Sequence, residues 1–367
     1  MFGKSIKNQL NDVFLVSHHK HNTIAPMEGL RGFAAFLVFV VHYAAQSQVW
    51  VDKTSFTADV IFYLRFLGAT GVDLFFVISG FLIYGMLTKK SVKYRVYAYR
   101  RIKRIYPAFL AVMLLYLILS FLFPDESKIP NDFTDGTIYV VQCLLLLPGL
   151  FDIQPIMSVA WTLSYEMFFY LLVPVVLLVF NLRQWRMLHR VLFLAAIAIG
   201  LYTYNFYAEL HIEMLMFISG MLLYEAYTKD IRLSWNKAHI VLPVTFGLMI
   251  LSRYVFTTDY VLVVTGIMFF GYALVCLDVF RGESALARFF KRSGMRWYGN
   301  MSYSYYLLHG LTLKFLFLVL AYFLPPSKDD TWVFYIFCAP FFFFTLFTSS
   351  ILFFVIEKPF SLKGKHR

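Results

Sequence analysis

Arg31 and His42 are separated by ten residues of an otherwise apolar run. Eleven residues make about three helical turns, so both side chains fall on one face, roughly 16 Å apart along the axis. An ionisable group inside a membrane helix costs ~2.5–3.5 kcal/mol or more, which makes each one a candidate for function. A histidine holds or drops a proton near neutral pH and suits a general base. The same ring could equally be a neutral histidine hydrogen-bonded to a neighbouring helix. Asp73 opens the block from Gly71 to Phe81 (GVDLFFVISGF), where Ser79 and Gly80 let another helix approach closely. Packing explains those small residues but not Asp73. Arg100, Arg101 and Arg104 precede a further apolar run, and their spacing puts Arg104 on one helix face with Arg100 or Arg101. Such a fork could grip phosphates bidentately, although basic residues are expected at the cytoplasmic end of any span. Glu166 lies between Trp161 and Tyr170 in WTLSYEMFFY, and a lone carboxylate there must be paired or line a cavity. Glu213, Glu225, Asp278, His309 and Lys314 are weaker signals that helix-to-helix hydrogen bonds would satisfy.

These residues need long apolar helices to position them, and the composition supplies them. Of 367 residues, 60% are hydrophobic, 20% aromatic and 15% charged. A soluble domain runs near ~45–50% apolar and ~25% charged. The chain therefore reads as an all-α polytopic membrane protein, which excludes disorder, a disulfide scaffold and a cytosolic dinucleotide-binding enzyme. Apolar runs fall at 33–49, 72–88, 107–123, 138–150, 161–180, 191–207, 211–227, 240–256, 261–280, 301–324 and 332–356. Six segments, 1–31, 88–104, 181–190, 228–239, 281–297 and 358–367, hold 27 of the 33 Lys and Arg. All six share one side of the membrane only if 138–150 does not cross. That segment is short for a span that needs about 20 residues, so it is expected to be re-entrant or peripheral. Ten spans then leave both termini cytoplasmic, with a cytoplasmic arm at 1–30, an integral domain at 31–357 and a short tail at 358–367. The acidic loop at 124–136 fits the opposite side. The net charge of +12 is thus mostly topology, and no nucleic-acid partner is needed to explain it. Cys143, Cys276 and Cys338 sit in apolar runs without metal-ligand spacing and read as small buried hydrophobes, so no metal site is expected. His18, His19 and His21 read as part of a solvated arm.

Taken in order, these segments resemble the acyltransferase 3 family of integral membrane acyltransferases. Glu28-Gly-Leu-Arg31-Gly followed by His42 resembles its Arg-x10-His element, and Gly71 to Phe81 resembles its Gly-Val-Asp-Leu-Phe-Phe-Val block. Arg101-Ile-Lys-Arg104 resembles its Arg-x-x-Arg element, and Trp161 to Tyr170 its Trp-Ser/Thr-Leu-x-x-Glu element. Tyr303 to His309 resembles its late span, and Glu357-Lys-Pro359 its closing Glu-x-Pro. Glu28 stands where the family most often has Asp.

The resemblance implies transfer of an acyl group, usually acetyl from acetyl-CoA, to a hydroxyl of a bacterial glycan at the inner membrane. Arg31, Arg100, Arg101 and Arg104 would then hold the phosphates of CoA, and His42 would deprotonate the acceptor hydroxyl. Asp73 and Glu166 would orient His42 or a partner arginine. Ser79, Trp161, Ser164, Tyr170 and His309 are candidates for the acceptor site or for stabilising the oxyanion. Many members carry a hydrolase-like domain after the membrane part. Only ten residues follow Glu357 here, so the expectation is direct transfer rather than an acyl-enzyme relay. The rival class, a transporter or flippase of a glycan or lipid-linked intermediate, would usually carry inverted repeats, and the sequence shows no such symmetry.

Overall fold

The computed structural model describes Phe14 and residues 24–89, 92–208, 213–230, 240–256 and 260–362. His18, His19 and His21, most of the basic segment 228–239 and the last five tail residues lie outside them. The helices are α1 (Ala25–Ser47), α2 (Phe56–Ala69), α3 (Gly71–Lys89), α4 (Tyr94–Leu122) and α5 (Phe133–Leu144). There follow α6 (Trp161–Val179), α7 (Met187–Ala208), α8 (Met214–Thr228), α9 (Val241–Val255) and α10 (Tyr260–Arg281). The short α11 (Ala285–Phe290) and α12 (Ser293–Asn300) lead into α13 (Ser302–Phe323) and α14 (Trp332–Leu352), and α14 runs on as a π-helical segment, Phe353–Leu362.

Among the described residues, eight helical stretches are long and apolar enough to cross a membrane, α2 and α3 forming one of them. The 15-residue α8 and α9 are shorter apolar helices, and together these ten match the expected spans. Backbone groups have no water to bond in hydrocarbon, so apolar runs of this length close their hydrogen bonds internally as helices. The segment expected not to cross contains only the 12-residue α5, followed by an irregular stretch.

Boundaries differ from the sequence reading at α1, α2, the start of α4 and the end of α14. Helix α1 begins at Ala25 rather than 33, because Glu28 and Arg31 have side-chain partners that keep this turn helical. Helix α2, which lies outside the expected spans, forms because Thr57, Ile61 and Gly68 make a buried stripe along it. The π-helical segment carries the helix to Leu362, into the expected tail.

The contacts divide the chain into two units. One comprises the chain to Val38, Phe66–Val92 and Leu172–Ser302. Within it α3 and α8 pack backbone to backbone. A Cβ on Gly80 would stand 2.1 Å from the Phe217 oxygen, and one on Gly220 would stand 2.0 Å from the Val77 oxygen. The Phe76 and Phe217 rings stack at 4.5 Å beside this contact. Glu225, 1% exposed, accepts from Arg190 Nε at 2.7 Å, Arg190 Nη2 at 2.9 Å and Tyr84 Oη at 2.6 Å, which ties α3, α7 and α8 together.

The other unit comprises Phe39–Arg65, Lys93–Leu171 and the chain from Tyr303. Tyr43 Oη donates to the Phe334 carbonyl at 2.7 Å and Trp50 Nε1 to that of Leu324 at 3.2 Å, which joins α1 and the turn after it to α14 and to the end of α13. The stretch between α5 and α6 turns through left-handed backbone at Leu146 and Gly149. It is pinned by Ser164 Oγ, which donates to the Pro148 carbonyl, and by Tyr139 Oη, which donates to that of Gln154 at 2.9 Å.

Candidate functional site

The second unit gathers most of the polar residues singled out above. His42 on α1 and His309 on α13 face one another with ring centroids 5.1 Å apart and planes at 61°. His42 is half-buried, and no hydrogen bond joins its ring to another described residue. His309 is wholly buried. Its Nδ1 lies 2.9 Å from the carbonyl oxygens of both Tyr305 and Tyr306, one turn back on its own helix. Carbonyls only accept, so Nδ1 carries a hydrogen. Nε2 is buried with no partner among the described residues. The ring is clamped by Tyr305, stacked on it at 5.2 Å, and Tyr305 is fixed in turn by a 2.9 Å hydrogen bond with Thr345.

At the basic end of α4 the expected fork separates into three different environments. Arg100 is exposed. Arg101 stands over the rings of Tyr97 and Tyr170, 5.7 and 5.6 Å from their centroids, a cation–π pairing on both sides. Its Nε and the Tyr97 Oη are buried without a partner among the described residues. Arg104 is ion-paired through Nη1 with Oε1 of the fully buried Glu357 at 2.5 Å. The other oxygen of Glu357 accepts from Ser304 N at 3.0 Å and Ser304 Oγ at 2.5 Å. Three donors thus satisfy a carboxylate that would be costly to bury unpaired.

Glu166, half-buried on α6, accepts from Tyr170 Oη one turn on. Trp161 packs edge-on to Tyr165 at 6.0 Å. Thr162 Oγ1 hydrogen-bonds Tyr306 Oη at 2.6 Å, so α6 is tied to the turn of α13 that carries His309. Lys314, farther along α13, donates to Glu126 at 2.6 Å rather than serving the histidines. That bond holds the exposed Glu126 carboxyl below its usual range.

The remaining candidates belong to the first unit. Arg31 Nη2 donates to Ser302 Oγ at 3.2 Å, and Glu28 accepts from Arg296 Nε at 2.8 Å. Asp73 lies in the first turn of α3, and Ser79 is half-buried on the same helix. Sequence reasoning did not single out Tyr97, Ser304 or Thr162. Ser304 and Tyr306 lie in the Tyr303–His309 block, but neither stands out in a run with tyrosines at 303, 305 and 306. Glu357 was marked only through the closing Glu-x-Pro, without its partner.

A helical, polytopic membrane protein with a histidine pair and a buried arginine–carboxylate pair between its helices defines the class. The family is more particular: residues 24–356 match the family described as acyltransferase domain, and the chain belongs to it. Among similar proteins, an uncharacterised protein of Haemophilus influenzae is 32% identical over 168 residues, 41% of this chain and 68% of that protein. Acyltransferase MdmB of Streptomyces mycarofaciens is 32% identical over 152 residues, 40% of this chain and 38% of its own length. O-acetyltransferase OatA of Staphylococcus aureus is 29% identical over 163 residues, 41% of this chain and 24% of its own length. The match thus spans well under half of these two named relatives. No solved structure matches.

Proposed function

We propose that the protein is a membrane-embedded O-acetyltransferase of the bacterial inner membrane. It moves acetyl from cytoplasmic acetyl-CoA to a sugar hydroxyl of a cell-surface or secreted glycan such as an O-antigen or exopolysaccharide. The observation that carries this reading is His42: a half-buried imidazole inside a membrane helix, with no hydrogen bond to a described residue, in a chain of an acyltransferase family. The name of the relative OatA supports acetyl and oxygen as the transferred group and the acceptor atom.

In this reading His42 takes the proton of the acceptor hydroxyl as its oxygen attacks the thioester carbonyl. The tetrahedral intermediate collapses with loss of the CoA thiolate, and the imidazolium returns the proton to that sulfur. Alcohol and thioester become ester and thiol, with no oxidant or metal in the balance. Arg100 and Arg101 serve the CoA phosphates, and the aromatic bed of Arg101 holds its guanidinium in place.

The test follows radiolabel from acetyl-CoA into glycans of membrane vesicles that contain the acceptor. Native protein transfers label, and His42→Ala lowers transfer by about 10²–10⁴-fold, the usual worth of a general base. Undiminished transfer by H42A would remove His42 from the chemistry, and absence of label with native protein would remove acetyl-CoA as donor.

A further inference from the structure

We propose that His309 is the positioning residue for His42, filling the place that an orienting carboxylate fills in other base-assisted transferases. The inference rests on the proposed use of His42 as the base. With Nδ1–H committed to the Tyr305 and Tyr306 carbonyls, a neutral His309 ring has its lone pair on Nε2. That nitrogen is fully buried and unpartnered among the described residues, in a ring whose centroid is 5.1 Å from that of His42. A buried acceptor of this kind is costly unless a donor comes to it. The two rings meet edge to face without a hydrogen bond in the structure, and the imidazole N–H of His42 is the donor we assign to that nitrogen.

Which nitrogen of a histidine carries the proton is set by the hydrogen bond the other one makes. An N–H of His42 given to His309 leaves the lone pair of His42 on its far nitrogen, turned away from His309 and free for the acceptor hydroxyl. Of the two carboxylates expected to orient His42 or a partner arginine, Glu166 bonds Tyr170. His309 cannot drift, because it is clamped by the stacked Tyr305 and by two main-chain contacts.

Two substitutions separate the nitrogens. His309→Gln puts an amide oxygen where Nε2 stood. His309→Asn keeps a donor for the helix carbonyls but is too short to present anything at Nε2. The first readout needs no acyl donor: the rate at which diethyl pyrocarbonate modifies His42 in membranes of the full chain, followed by mass spectrometry of its peptide. Native and H309Q chains react alike, whereas H309N reacts about two- to tenfold more slowly, the population shift worth one net hydrogen bond. The second readout is transfer from acetyl-CoA, in which H309N loses kcat by a similar factor with KM unchanged and H309Q regains it. Equal His42 reactivity in all three chains, or H309Q as slow as H309N, overturns the proposal. Native vesicles that transfer no label overturn the choice of donor instead, and the carbethoxylation rates still decide the role of His309.

Discussion

Glu357 is a residue with no freedom: it is fully buried, bonded by Arg104 on one oxygen and by the Ser304 main chain and hydroxyl on the other. Removing one member of such a pair leaves the other charge stranded, at ~3–5 kcal/mol. Glu357→Ala is therefore expected to destabilise the detergent-solubilised protein by about that much in thermal unfolding, with Arg104→Met close behind. The double variant E357A/R104M should lose clearly less than the sum, because neither charge is then left alone. Full additivity would mean that the pair does not act as a unit. The sequence marked both residues but not their partnership. Arg104 read as a phosphate ligand because spacing along one helix is visible in a sequence, whereas the approach of a residue 253 positions away is not. His42 shows the same limit. Its place on one helix with Arg31 was legible from the spacing, but the neighbour on α13 was visible only once the helices were assembled.

Between elements, the close contact of α3 with α8 is the most demanding. Gly80 and Gly220 each press against the other helix's main chain, and no side chain could yield to make room. Membrane helices gain little from burying apolar surface against each other, so such backbone proximity and the contacts it allows carry the association. Gly80→Leu should therefore abolish a folded, monodisperse species in detergent. Gly200→Ala, where an added Cβ meets nothing within 4 Å, should be neutral or stabilising by up to about 0.5–1 kcal/mol on helix propensity. If G80L were tolerated like G200A, the packing of α3 on α8 would be wrong. Small residues in an apolar run foretold a close approach at Ser79 and Gly80, but the partner helix could not be read from them. Helix α2 was missed for a related reason. Asp59 and Arg65 dilute its hydropathy, and its buried stripe has meaning only once there is something to pack against.

For the whole molecule, the apolar runs and the placement of Lys and Arg were the most legible features. Each of the ten expected spans has its helix, since length and hydropathy are local properties of the chain. Sidedness rests on charge alone and makes a direct prediction along α4. That helix has 29 residues, or ~43 Å at 1.5 Å per residue, enough to cross the bilayer with turns to spare. Its first turns carry the basic segment, and beyond its other end Asp125 and Glu126 open the acidic loop. Positive charge is retained on the cytoplasmic side, so the two ends should face opposite compartments. In a Cys338→Ala background, which leaves Cys143 and Cys276 buried, Asp125→Cys should react with a membrane-impermeant maleimide on intact cells. Val96→Cys, exposed at the basic end, should react only after permeabilisation. That result would put the arginines of α4 in the compartment that holds acetyl-CoA. The reverse pattern would leave them facing away from it and would remove them as a CoA site, whatever the fate of His42.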